Sequence, residues 1–385
     1  MKYNFDEIIE RRGTNSYKWN VAEGELPMWV ADMDFKTAPE IRAALQKRLD
    51  HGIFGYEDIP DEWYSAYQSW WERRHHFKIE KDWLVFCTGV IPAISTMVRK
   101  LSTPAEKVVV QTPVYNIFFN SIVNNGRQPY ENRLIYDEKT GRYKVDWEDL
   151  EKKLADPQTS LFLLCNPHNP SGEIWTKEAL SKIGALCKKY GVTVISDEIH
   201  CDITDPGTEY VPFASASEVC KEISVSCIAP TKCFNIAGTH TAAVFAADPF
   251  LRHKVWRGLN TDEVAEPNSF AMTAAISAFN EGEEWLEELR KYVAENKKTV
   301  REFIMKEIPK VKVMPSDATY LLWLNIGEYG KPSNELAKEI REKTGLYLSA
   351  GDIFGGDGEN FLRMNTACPR AFIEDGLERL KKALG

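Results

Sequence analysis

The feature that most constrains this chain is an alternation of short apolar runs with amphipathic stretches between residues 84 and 246. Leu84 to Cys87, Lys107 to Gln111, Leu161 to Cys165, Val192 to Ser196, Ile223 to Ile228 and Thr241 to Ala246, with the more polar Gln128 to Leu134, read as strands. Pro92 to Leu101, Ile117 to Asn124, Asp146 to Leu154 and Lys177 to Tyr190 read as helices between them. Strands that alternate with helices are joined by crossovers over the sheet faces. The pattern therefore predicts a largely parallel sheet with helices on both faces. Ligands of such sheets bind beyond the carboxyl ends of the strands, so chemistry is to be sought there.

The flanks read differently. Residues 1 to about 35 are irregular and rich in aromatics, and Leu26 to Phe35 is too apolar for a free tail. It lies against a pocket, a second subunit or the core. Pro39 to Asp50 is a helix, with Thr37 its candidate cap. His51 to Tyr56 is a glycine-bracketed loop that exposes an aromatic, and Asp61 to Phe77 is an amphipathic helix. Beyond a long helix from Trp285 to Ile308, strands at 311–314, 320–326, 347–349 and 361–366 mix with helices at 334–343 and 371–384. This is an α+β unit joined by the N-terminal segment. The division expected is an N-terminal segment 1–48, a large domain 49–284 and a small domain 285–385.

Composition excludes some classes. A net charge of −9 argues against nucleic acid or an anionic membrane as partner. The chain begins without a signal peptide's apolar core, and no apolar run approaches the ~20 residues of a spanning helix. The expected location is the cytoplasm. The eight cysteines form no CxxC pair and read as free thiols, mostly buried. The histidines lack ligand spacing, so no metal is expected.

Four strand ends carry reactive residue types. Thr88-Gly89-Val90 sits where a strand passes into a helix, a turn that aims backbone N–H groups at a phosphate. Asn166 to Gly172, with two prolines, can hold Asn169 as a donor or be a plain turn. Val192 to His200 ends a strand in Asp197 and Glu198, with a histidine three residues after the aspartate. Asp197 can face a cation, such as a protonated pyridine nitrogen, or cap a helix. Ile223 to Asn235 delivers Lys232, which is either a surface lysine or one able to form a Schiff base with a carbonyl compound. Together with the aromatic loop Thr112 to Tyr115, this is the layout needed to hold pyridoxal 5′-phosphate. Tyr115 would stack on the ring and Asn169 and His200 would contact its phenolic oxygen. Asp197 would keep the ring nitrogen protonated, and Thr231 would reach the phosphate.

These residues resemble the fold-type I pyridoxal-phosphate enzymes, the aspartate aminotransferase superfamily, over nearly the whole chain. Met28 to Phe35, Phe54-Gly55-Tyr56, Pro113-Val114-Tyr115, Asn166 to Gly172, Ser196 to His200, Lys232 to Gly238 and Arg363-Met364-Asn365 are most similar to the cystathionine β-lyase or C–S lyase branch. The resemblance implies an α/β, transferase-like fold: a mostly parallel seven-stranded sheet between helices, plus a smaller α+β domain. It implies that Lys232 attaches the cofactor, with Gly89, Val90, Tyr115, Asn169, Asp197, His200 and Thr231 around it. It implies a substrate site of Arg363, which grips the α-carboxylate, with Ala31, Tyr115 and Asn169. It also implies a homodimer, with Tyr56 reaching the neighbouring subunit's phosphate. Ser171, Thr231, Cys233 and His240 depart from the superfamily's usual residues. His240 stands where aminotransferases often carry a phosphate-binding arginine, so the cationic partner of the phosphate stays unassigned.

The function expected is a β-lyase that splits cystathionine or another cysteine S-conjugate to a thiol, pyruvate and ammonia. An aminotransferase acting on a 2-oxo acid is the alternative. A non-catalytic regulator on the same fold is a third reading, disfavoured because Lys232, Asp197, Asn169 and Arg363 stand together.

Overall fold

The computed structural model describes residues 2–385; Met1 of the N-terminal segment lies outside them. Seven strands form the large sheet: β1 Leu84–Cys87, β2 Lys107–Thr112, β3 Gln128–Arg133, β4 Thr159–Cys165, β5 Thr193–Asp197, β6 Ser224–Ile228 and β7 Ala242–Phe245. Their order across the sheet is β1-β7-β6-β5-β4-β2-β3. Only β7 runs against its neighbours. Side chains alternate across the sheet, as the pleat requires. Val108, Val110, Leu161 and Leu163 enter one core, while Val109, Phe162 and Leu164 enter another. Both faces are covered, which is why these strands read as unbroken apolar runs.

A second sheet of four antiparallel strands, Lys312–Val313, Leu321–Asn325, Phe361–Asn365 and Ser349–Ala350 in that spatial order, has its own core. The N-terminal Leu26–Pro27 pairs in parallel with Leu346–Tyr347 beside it. The helix Glu283–Glu307 is 25 residues long, about 37 Å at 1.5 Å per residue. It buries Trp285, Leu289 and Val293 in one core and Val300 and Ile304 in the other. The first of these two cores also takes in the helix Asp61–His75, whose Trp63, Tyr67, Trp70 and Trp71 are all buried.

Several expectations are corrected. Thr37 does not cap the helix Pro39–His51. Ala38 holds the cap position without a side-chain bond, and the buried Thr37 hydroxyl has no partner. Pro39 supplies the start instead, since its missing N–H is one that a first turn leaves unbonded. The helix expected from Pro92 begins at Val90, with Gly89 at the cap and Pro92 inside the first turn. The strand expected at 347–349 is two short ones, because the chain changes partner at Leu348. No helix follows Asp197; turns do. The helices Pro249–Thr261 and Ala271–Glu281 were not foreseen. The second is buried on nearly all sides and has no polar face to announce it.

Candidate active site

Parallel register brings three strand ends level, with Cys165, Asp197 and Cys227 opposite one another. The backbone continues the ladder past the ends: Asn166 N–H donates to Asp197 O at 2.9 Å and Glu198 N–H to Cys227 O at 2.9 Å. A cavity of about 250 Å³ opens beyond this edge. Gly89, Val90, Thr231, Tyr115, Asn169, Ala31, Asp197, His200 and Lys232 are among the residues that line it. Two predicted residues lie apart. Arg363 reaches the cavity only through Asn169, and Tyr56 stands fully exposed on the surface.

The acid pair at the end of β5 divides. Glu198 turns into the core, where its carboxylate accepts from Ser196 Oγ, Ser226 Oγ, Phe213 N–H and the Tyr210 hydroxyl. Asp197 turns to the cavity and accepts only from Ile199 N–H, at 3.1 Å. Burial pushes its carboxyl up to about 7, with the Ile199 bond and the Lys232 charge pulling back. His200 is buried and its Nδ1 has no partner. Burial, then the charges of Lys232 and Arg363, hold it down at about 3, so its imidazole is neutral.

Lys232 rides on the turn after β6, where Phe234 N–H bonds back to Pro230 O. Its Nζ donates to Ala31 O at 2.6 Å. Burial lowers its affinity for a proton, and so does the charge of Arg363; Asp32 and Asp197 oppose them. Arg363, on Phe361–Asn365, is buried. It donates through Nη1 to Asn169 Oδ1 at 3.1 Å and through Nη2 to Trp29 O at 3.0 Å, and its Nε has no partner. No carboxylate of the described residues pairs with it, and burial brings its guanidinium down to about 10. Asn169 thus accepts through its carbonyl oxygen as well as carrying the donors expected of it. Its loop holds cis bonds before Pro167 and Pro170. Gly172 closes the loop at φ +75°, where a Cβ would stand 2.1 Å from Ser316 Oγ.

Of the segment Leu26 to Phe35, expected against a pocket, a second subunit or the core, Ala31 lines the cavity, and the sequence does not announce how the segment is attached. Successive carbonyls face inward. Ser349 Oγ donates to Trp29 O, Asn365 Nδ2 to Val30 O and Asp32 O, and Asn235 Nδ2 to Met33 O. Asn235 and Asn365 are the functional residues that sequence reasoning left without a role. A polar residue beside each key cation, Lys232 and Arg363, was the only available signal. The helix Val90–Lys100 opens at Gly89 with no side-chain cap, so its first N–H groups remain for a ligand. Elsewhere, a cleft of about 390 Å³ is lined by Arg73, Arg74 and Arg290, but Glu283 and Glu287 already pair with them. Beneath it His75, Cys201 and Asp202 converge; Asp202 is occupied by Arg74, His75 and Trp70.

Residues 25–380 match the model of the aminotransferase class I and II family. The chain is 44% identical to cystathionine beta-lyase PatB of Bacillus subtilis (strain 168), over 99% of this chain and 100% of that one. Cystalysin from Treponema denticola, solved with pyridoxal 5′-phosphate, superposes with a TM-score of 0.96 at 32% identity, covering 100% of this chain and 99% of that one. The pyridoxal-phosphate-bound C–S lyase of Staphylococcus hominis gives a TM-score of 0.92 at 32% identity, covering 99% of each chain.

Proposed function

The chain belongs to the aminotransferase class I and II family, and within it we propose a carbon–sulfur β-lyase that works with pyridoxal 5′-phosphate. Its substrate is cystathionine or another cysteine S-conjugate, cleaved with water to a thiol, pyruvate and ammonia. The observation that carries this reading is a set of titratable groups without ion-pair partners: Asp197 and Lys232 in the cavity wall and Arg363 behind Asn169. Buried charges left unpaired are costly, and an amino acid with its cofactor would pair all three. The full-length likeness to C–S lyases supports a lyase over a transferase.

The residues fit the cofactor. Asp197, a buried carboxylate with one N–H donor, suits a protonated ring nitrogen. The uncapped N–H groups at Gly89 and Val90, with the Thr231 hydroxyl, suit the phosphate. Tyr115 would face the ring, Asn169 and His200 would contact its oxygen, and Lys232 would attach it. When bound, the cofactor supplies an electron sink that acidifies the hydrogen on the substrate's Cα. Arg363 uses two of its five N–H donors within the protein and offers the rest to the α-carboxylate. This orients Cα toward Lys232. Once the substrate's amino group has displaced Lys232 from the cofactor, burial and Arg363 favour a neutral lysine amine, which would take the Cα proton as general base. Ala31 O holds that Nζ in place. The thiolate then leaves Cβ.

The protein also reads as a cytoplasmic homodimer whose substrate is a small amino acid, with no nucleic-acid or membrane partner. No helix among the described residues is long and apolar enough to cross a membrane. Leu49, Ile53, Phe54 and Tyr56 are all exposed over a short stretch of chain, which suits a subunit contact through which Tyr56 of the partner subunit would reach the phosphate. The division into 1–48, 49–284 and 285–385 is kept as part of this reading. The test is acceptor dependence. Purified holoenzyme should consume cystathionine at the same rate with and without a 2-oxo acid. Consumption only when the oxo acid is present would make it an aminotransferase.

A further inference from the structure

One residue touches both the carboxylate-facing arginine and the loop that carries Tyr115, although these belong to different sheets. Phe354 ends the short turn Asp352–Phe354 and is fully buried. Its ring lies beneath the Arg363 guanidinium, 4.7 Å from the centroid. Its carbonyl accepts the N–H of Val114 at 2.8 Å, the residue before Tyr115. Trp323 packs edge-on against the ring at 5.3 Å and is itself stacked on Phe361.

The chain beyond Phe354 is built to make this contact. Gly355 and Gly356 both have positive φ, +73° and +61°. A Cβ on Gly356 would stand 2.8 Å from Pro113 N and 2.9 Å from the Thr112 carbonyl carbon. Only glycine lets the turn rest on that backbone. Glu131 pins the same corner, accepting from the Thr112 hydroxyl at 3.0 Å and from Gly356 N–H at 3.4 Å.

We propose that Phe354 is a positioning residue for this reaction: its ring sets the Arg363 guanidinium for an α-carboxylate, and its carbonyl ties that setting to the Tyr115 loop. The ring's negative face attracts the guanidinium without consuming an N–H donor, as an acidic neighbour would. Arg363 is thereby fixed yet open. Occupation of the carboxylate site and placement of Tyr115 become one event. This inference rests on the reading that Arg363 binds the substrate carboxylate.

The test uses holoenzyme and a pair of probes, L-alanine and L-alaninamide, titrated against the absorbance of the bound cofactor. Wild type should prefer the acid. F354L should weaken the acid about tenfold, the loss of one desolvated cation–π contact, and leave the amide unchanged. It should also reduce the cofactor's visible circular dichroism as the Tyr115 loop loosens. F354Y, which keeps the ring, should retain both signals whatever its Tm. Should F354L not fold, F354M, unbranched and close in volume, reads the same ratio. A non-aromatic variant with a lowered Tm but the wild-type acid-to-amide ratio and dichroism would reduce Phe354 to packing and overturn the proposal. A wild type without preference for the acid would instead remove the Arg363 reading, and this proposal with it.

Discussion

Two ionic clusters lie within a few residues of each other, one closed and one open. In the closed cluster Asp34 accepts from Lys18 at 2.6 Å, Arg11 at 2.8 Å and Trp19 Nε1 at 2.7 Å, while Arg11 also pairs with Asp32 at 2.6 Å. Two acids meet two bases and nothing is left over. In the open cluster Lys232, Arg363 and Asp197 form no ion pair with any described residue, and His200 between them is neutral. Lys18 and Asp34 of the first are as buried as Asp197 and Arg363 of the second, so depth does not separate them. Partnership does: a closed set holds backbone in place, and an open set awaits the groups of a ligand. The segment Trp29 to Met33 joins them, anchored by the first and lending its carbonyls to the second.

Variants should separate the two sets by what they lose. Lys232→Ala should lower turnover about 10⁴-fold, the upper range for a positioned proton-transfer group, and abolish the visible absorbance of lysine-attached cofactor. Its melting temperature should stay close to wild type. Arg363→Met should lower kcat/KM about 100-fold, in line with loss of a buried charge partner, mostly through KM. Because it also removes an unpaired buried cation, its Tm should hold or rise; a marked fall in Tm would mean that Arg363 serves structure. Asp34→Ala should do the reverse. It strands the fully buried Lys18 and should cost about 3–5 kcal/mol of stability in denaturant titration, with kcat less affected because the Asn235 and Asn365 bonds remain.

The smallest effect concerns Glu198, the saturated neighbour of Asp197. Burial raises its carboxyl from 4.5 to about 7. The folded state keeps a proton that the unfolded chain releases above about 4.5. That stability is full below this pH and is lost as pH rises through about 7. Glu198→Gln cannot lose the proton, so its Tm relative to wild type should improve from pH 5 to pH 8 while cofactor occupancy is unchanged. A constant difference would show that Glu198 is ionised throughout.

Much of the large sheet was legible because its central strands are buried on both faces and each reactive residue lies at or beyond a strand end. Lys232, Asp197, Asn169 and Tyr115 meet at one cavity for that reason. What was not legible depends on distance in sequence. Nothing local marks Asn365 as the donor to two carbonyls more than 330 residues away, or Phe354 as the floor of Arg363. That Arg363 lacks an acid is a property of everything folded around it. Thr37 failed as a cap because the adjacent proline and an extended Ala38 already define the helix start.

The most direct measurement is product stoichiometry. Holoenzyme incubated with cystathionine and no 2-oxo acid should release thiol, pyruvate and ammonia in equal amounts through many turnovers. A single turnover that stops until an oxo acid is added, with no free thiol, would contradict the lyase account and leave the open cluster serving amino transfer.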